Sequence, residues 1–179
     1  MQKLVILDRD GVINYESPEY IKSPKEWRAL PGSIQAIVIL NKKGYKVAIA
    51  TNQSGIGRGY YDHDMLAAIH NKLLSSVKTA NGIIDKLVYC PHTPEDNCLC
   101  RKPKPGMLYE ILQFFNLESM SNSVYFVGDS ISDITAAKAA GCQPILVLTG
   151  NGGSATIAKL DPEEHIPVFV DLLEFAKSL

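Results

Sequence analysis

Long apolar runs are missing from this sequence. No stretch of its 179 residues approaches the roughly 20 apolar residues that a membrane span requires. An excess of one charge is missing too: 18 Lys and Arg stand against 19 Asp and Glu, for a formal net charge of −1. Without a basic excess the chain has no general grip on a nucleic-acid backbone, so nucleic-acid binding is not expected. Any anionic ligand must be held by a local cluster of cations rather than by the field of the whole molecule. No internal repeat, low-complexity tract or linker interrupts the chain, and its length suits one domain with a sizeable core, expected over residues 1–179. The first residues run straight into an apolar segment and a charged motif, unlike a signal peptide, so a cytoplasmic location is expected. No exposed apolar stripe stands out, and a monomer is the expectation.

Cysteine is scarce, yet its placement is uneven. Of the four, Cys90, Cys98 and Cys100 crowd around His92, and only Cys142 stands apart. In a chain without an export signal that crowding points to a metal before disulfides. Three thiols and one imidazole form the donor set of a closed, structural zinc site, although the spacing differs from a finger's paired CxxC. The alternative is a surface loop with free thiols. Because Cys100 runs into Arg101-Lys102, a metal-tied loop would hold those cations in place. Cys142, at a helix end, is expected to be a small buried residue.

Short apolar runs alternate with helical segments. Strands are expected at 4–7, 45–50, 83–89, 124–127, 144–148 and near 168–170. Helices are expected at 33–43, from a cap at Asp62 to about 80, at 106–115, from Ser132 or Asp133 to Gly141, and at 172–177. Residues 8–30 read as irregular and 90–105 as a proline-rich loop. Such alternation predicts an α/β fold: a three-layer, Rossmann-like parallel sheet with helices on both faces. Ligands of such sheets sit beyond the carboxyl ends of the strands. That rule gathers Asp8 and Asp10, Thr51 and Asn52, and Gly128-Asp129 at one edge. Asp8 and Asp10, two apart after a buried strand, are like charges that need a cation, a shared proton or both. His63 and His70 share one face of a helix and are expected as exposed polar residues without a role; His165 has no visible partner.

Four motifs now stand in order: Asp8-Arg9-Asp10-Gly11-Val12, Thr51 in Thr51-Asn52-Gln53-Ser54-Gly55, Lys102 in Arg101-Lys102-Pro103-Lys104-Pro105-Gly106, and Gly128-Asp129-Ser130-Ile131-Ser132-Asp133. Together they resemble the haloacid dehalogenase superfamily of aspartate-nucleophile phosphohydrolases, over most of the chain. The resemblance implies Asp8 as nucleophile and Asp10 as the acid, then the base, so Asp10 should have its pKa raised relative to Asp8. It implies Mg²⁺ held by the Asp8 and Asp129 carboxylates and the Asp10 carbonyl, with Asp133 acting behind the metal or through a water; a helix cap at Asp133 is an equal reading, and both roles can hold together. Thr51 would hydrogen-bond a phosphoryl oxygen and Lys102 neutralise charge.

The glycine-rich run after Thr51, the Cys90-Pro91-His92 and Cys98-Leu99-Cys100 pairs and the Arg101-to-Gly106 segment narrow the likeness. They resemble the D-glycero-D-manno-heptose 1,7-bisphosphate 7-phosphatases and the related histidinol-phosphate phosphatases, which lack a large cap domain. The implied reaction is Mg²⁺-dependent phosphomonoester hydrolysis of a sugar phosphate through an aspartyl-phosphate, serving heptose and lipopolysaccharide precursor synthesis. Histidinol phosphate is the alternative substrate, with Glu16 and Glu19 available to its ammonium. A non-catalytic phosphate-binding module and a nucleic-acid end phosphatase rank lower. Asn52, Arg58, Arg101 and Lys104 are candidates for holding sugar hydroxyls or a second phosphate. Ser130 and Leu148 stand where the heptose enzymes often carry Lys and Arg.

Overall fold

A computed structural model describes residues 2–117 and 124–179. Its centre is a six-stranded, wholly parallel sheet in the order β3-β2-β1-β4-β5-β6. The strands are β1 (Lys3–Leu7), β2 (Tyr45–Asn52), β3 (Lys86–Cys90), β4 (Val124–Gly128), β5 (Gln143–Val147) and β6 (Val168–Phe169). The helices are α1 (Ser33–Lys42), α2 (His63–Thr79), α3 (Gly106–Phe114), α4 (Ile131–Ala139), the single turn α5 (Ser154–Ile157) and α6 (Leu172–Ser178).

The two-residue repeat of a strand decides which helix covers which face. Along β1, Val5 and Leu7 enter one core with Ile37 and Leu40 of α1, Ile69 and Leu73 of α2 and Phe175 of α6. Leu4 and Ile6 enter the other with Leu108 and Ile111 of α3 and Ala136 and Ala137 of α4. The alanines let α4 lie close on the sheet, as its composition suggests. Cys142 is buried in this second core, as expected.

The strand order reverses direction between β1 and β4, and a crevice opens there beyond the carboxyl ends. Asp8 follows β1 and Asp129 follows β4; the Asp8 amide donates to Val127 O at 2.9 Å, so the paired strands deliver both carboxylates to the same place. Among the described residues no helical or sheet insertion separates β1 from α1 or β2 from α2, leaving no cap fold.

Several boundaries differ from expectation. β2 runs on through Thr51 and Asn52 because these pair with Tyr89 and Cys90 of β3. β3 starts at Lys86 rather than 83, where its pairing with Ala48 begins. α4 starts at Ile131, not at Ser132 or Asp133, because Ser130 is its N-cap: Ser130 and Asp133 form a reciprocal capping box. The α5 turn was not anticipated.

Candidate active site

Asp8, Asp10, Asn52, Lys102 and Asp129 line a cavity of about 200 Å³ at the crevice. Thr51, at the carboxyl end of β2, lies buried behind it and accepts from Gln53 Nε2 at 2.9 Å.

Lys102 reaches the floor from the loop before α3. Its Nζ pairs with Asp8 Oδ1 at 2.9 Å and Asp133 Oδ1 at 2.7 Å, donates to Ala50 O at 3.0 Å and faces the Phe126 ring. Burial opposes a charged lysine, but the two carboxylates outweigh it and hold the Lys102 pKa above its ordinary value. The other Asp133 oxygen accepts from the Asp129 and Ser130 amides and the Ser130 hydroxyl. Asp133 is therefore a cap and a lysine partner at once. Asn52 takes the Lys102 amide at 3.1 Å and donates to its carbonyl at 3.1 Å, clamping the backbone that carries the cation.

Oxygens of Asp8, Asp129 and Asp133 all lie within 4.8 Å of one another. Burial pushes the Asp8 carboxyl up to about 7, with Lys102 working against the rise and Asp133 and Asp10 adding to it. Burial, then Asp8 and Asp133, push Asp129 up to about 8. Buried carboxylates whose pKa values are raised by burial and then by mutual repulsion form a place where a cation belongs, and an all-oxygen set suits Mg²⁺. The surroundings are shaped to the Asp129 carboxylate. Gly11 and Gly150 have left-handed backbones, φ +80° and +58°, and a Cβ on either would collide with Asp129 Oδ2. The Asn151 amide donates to the same oxygen at 2.6 Å, while the Asn151 side chain donates to Glu16 across the cavity mouth at 2.8 Å.

Asp10 departs from expectation. Burial raises its pKa, but the Arg9 guanidinium and hydrogen bonds from Asn14, Arg9 and Gln53 prevail and hold it below the ordinary carboxylate value. Arg9 Nη2 lies 2.8 and 2.9 Å from the two Asp10 oxygens, Asn14 Nδ2 2.8 Å from Oδ1 and Gln53 Nε2 2.9 Å from Oδ2. Gln53 is held in turn by the Tyr61 hydroxyl, which donates to its Oε1 at 2.7 Å. Here Asp10 is lower than Asp8, the reverse of the sequence expectation, because Arg9 turns inward as its counter-ion.

His70 also corrects the sequence reading. It is buried on α2 and accepts from Arg9 Nη1 at 3.2 Å, whereas His63 is exposed and meets the Tyr89 hydroxyl at 2.9 Å. Burial, helped by Arg9, drives the His70 pKa down to about 3, so the ring is neutral. The signal was in the helix stripe: Leu66, Ile69, Leu73 and Val77 are the buried face of α2, and position 70 falls on it. Arg9, Asn14, Gln53, Tyr61 and Asn151 were likewise not singled out.

The remaining candidates scatter. Arg58 is exposed and outside the cavity. Arg101 and Lys104 line a neighbouring hollow of about 150 Å³, which Lys102 also borders. Arg101 donates to His92 O at 3.2 Å and Lys104 to Asn97 Oδ1 at 2.6 Å. Glu16 borders the cavity and Glu19 does not.

Behind Arg101, the donor atoms of Cys90, His92, Cys98 and Cys100 form a cluster with neighbouring separations of 3.2–3.6 Å. No disulfide joins them. Tetrahedral zinc with Zn–S bonds near 2.3 Å sets its ligands about 3.5–3.8 Å apart, so the donors are close to that arrangement and would open by a few tenths of an ångström at Cys100 to hold the ion. Burial resists ionisation of Cys98, but the Arg101 amide and the neighbouring thiols draw its pKa down to about 7, towards the thiolate that a metal binds.

This fold, with two carboxylates, a lysine and a capped third carboxylate beyond its strand ends, defines a haloacid-dehalogenase-like hydrolase. The HAD-hydrolase-like family matches residues 99–175. The chain is 49% identical to the D-glycero-beta-D-manno-heptose-1,7-bisphosphate 7-phosphatase of Pseudomonas aeruginosa, over 99% of this chain and 98% of that protein. It is 50% identical to the enzyme of the same name from Pseudomonas putida, over 99% of each. The crystal structure of D,D-heptose 1,7-bisphosphate phosphatase from B. bronchiseptica, complexed with magnesium and phosphate, superposes with a TM-score of 0.93 at 46% identity, over 99% of this chain and 97% of that one. The chain belongs to the family of D-glycero-beta-D-manno-heptose-1,7-bisphosphate 7-phosphatases, which are phosphoric monoester hydrolases.

Proposed function

We propose that this chain removes the 7-phosphate of D-glycero-D-manno-heptose 1,7-bisphosphate by way of a phosphorylated Asp8. The observation that carries the chemistry is Asp8 on the cavity floor, 2.9 Å from Lys102 Nζ and within 4.8 Å of Asp129. The names of relatives matched over nearly the whole chain support the substrate.

Asp8 attacks phosphorus; the bond to the sugar oxygen breaks, and that oxygen takes a proton from Asp10. Water then attacks the acyl-phosphate, and Asp10 takes its proton. Arg9's grip favours the second duty. The first becomes available when a phosphoryl dianion settles beside Asp10 and raises its pKa. Lys102 and the Thr51 hydroxyl bear on the phosphoryl oxygens, and Asp133 keeps Lys102 aimed. Mg²⁺, held by Asp8, Asp129 and the Asp10 carbonyl, would supply the positive charge that lets one anion approach another. Zinc on the four Cys and His donors would brace the loop that delivers Arg101 and Lys102. Asn52 fixes that loop from inside, and Arg101, Lys104 and Arg58 are candidate cations for a distal phosphate.

The test is a phosphate-release panel of heptose 1,7-bisphosphate anomers, histidinol phosphate and fructose 1,6-bisphosphate, with Asp8→Asn beside the wild type. We expect Mg²⁺-dependent release, highest on a heptose bisphosphate and abolished in Asp8→Asn. Near-normal turnover by that variant would refute the nucleophile, and preference for histidinol phosphate would refute the substrate.

A further inference from the structure

Arg9 is the bulkiest of the fully buried side chains. A guanidinium has five N–H donors and no acceptor, and a buried cation with unmet donors is costly. One end is met by Asp10, through Nε at 3.2 Å and Nη2 at 2.8 and 2.9 Å. The opposite nitrogen, Nη1, meets His70 Nε2 at 3.2 Å. Because Arg9 can only donate, Nε2 must present its lone pair and the ring proton must sit on Nδ1. The ring stands edge-on to Tyr89 with centroids 5.8 Å apart, on the buried face of α2 that also carries Ile69 and Leu73. His70 does not border the active-site cavity.

We infer that His70 is a positioning residue for Asp10: it fixes Arg9 from behind, and Arg9 fixes the carboxylate that exchanges protons with substrate. The inference rests on the phosphatase reading above. Without the imidazole, Nη1 loses its acceptor and the guanidinium must turn to find another. Nε and Nη2 then leave the line that holds both Asp10 oxygens, and Asn14 and Gln53, with one bond each, are left to place the carboxyl less firmly. Proton transfer tolerates such misplacement poorly, because donor and acceptor must meet at hydrogen-bond distance. The step affected is the first one, in which the Asp8 Oδ–P bond forms, the P–O bond to the sugar breaks and the Asp10 proton passes to the departing oxygen. A leaving group stable as an anion does not need that proton.

The experiment compares kcat/KM for a sugar phosphate with kcat/KM for p-nitrophenyl phosphate, whose leaving group departs unprotonated. In His70→Phe the sugar phosphate to p-nitrophenyl phosphate ratio should fall about tenfold or more, a part of the ~10²–10⁴ that general acid–base catalysis contributes. His70→Gln, whose carbonyl oxygen reaches the place of Nε2, should restore most of the ratio. If His70→Phe does not fold, His70→Asn, polar but too short to reach Arg9, replaces it. A parallel loss on both substrates, an unchanged ratio, or a Gln variant no better than Phe overturns the inference. Wild-type protein inert towards both substrates fails the phosphatase reading itself, and the inference falls with it.

Discussion

Asp133→Asn removes one charge and almost no volume, so it tests the electrostatics of the site apart from its packing. In the wild type Asp133 is buried and divides its work. One oxygen is 2.7 Å from Lys102 Nζ, and the other accepts from the Asp129 amide, the Ser130 amide and the Ser130 hydroxyl. Removing one partner of a buried ion pair costs about 3–5 kcal/mol. Two effects offset this. Lys102 keeps Asp8 at 2.9 Å. Asp8 and Asp129, both raised in pKa by Asp133 among other causes, are relieved of a like charge. The asparagine carbonyl can still accept the cap bonds. The net loss should be about 2 kcal/mol, which for a chain of this length lowers Tm by roughly 4–8 °C. With its second carboxylate gone, Lys102 is aimed less firmly, and kcat should fall by about 10². Thermal unfolding followed by circular dichroism and phosphate release, both at saturating Mg²⁺, read the two quantities. Wild-type Tm together with wild-type kcat would show that the Lys102–Asp133 pair orders nothing.

The ionisation of the cavity gives a pH test. Without a divalent ion, Asp8 sits at about 7 and Asp129 at about 8, both above the ordinary value of 3.8. The folded state then binds more protons than the unfolded one between about pH 4 and 8, so these two groups subtract stability as pH rises through that window. An ion bound to the deprotonated pair cancels the loss. The Tm gain on adding Mg²⁺ should therefore be larger at pH 8 than at pH 5, and an equal gain at both would contradict the reading. For the cluster behind Arg101, purified protein should carry about one zinc per chain by elemental analysis, as four closed donors imply. Cys98→Ser should lose that zinc, unfold at a lower temperature and lose activity as the Lys102 loop loosens. Metal-free protein of full activity and unchanged Tm would remove the brace from the account.

What could be read from the sequence, and what could not, divides along the chain in a physical way. Asp8 and Asp129 were legible because each directly follows a buried apolar run, and parallel strands deliver their ends to one edge. The cysteine cluster was legible because its donors lie within eleven residues, so spacing alone brings them together. Lys102 was placed by motif order, but its second carboxylate was not: Asp133 was legible as a cap and as a neighbour of the metal site, and its pairing with Lys102 carries no signal in the sequence. The least legible part was the acid's own surroundings. Arg9 stands between two aspartates, borders the cavity with them and is almost wholly buried, its guanidinium turned onto Asp10. Its far partner, His70, lies 61 residues on and on another helix. Two local signals still pointed there. A buried arginine needs both a counter-ion and an acceptor for its remaining donors, and Asp10 stands next to it in the chain. The buried stripe of α2 then offers one polar ring at the right face, position 70, between Leu66 and Leu73. Combining the two would have turned an unassigned histidine into a candidate support of the acid, and would have predicted a lowered rather than a raised pKa for Asp10 in the absence of substrate, since a buried guanidinium favours the charged form of its partner carboxylate.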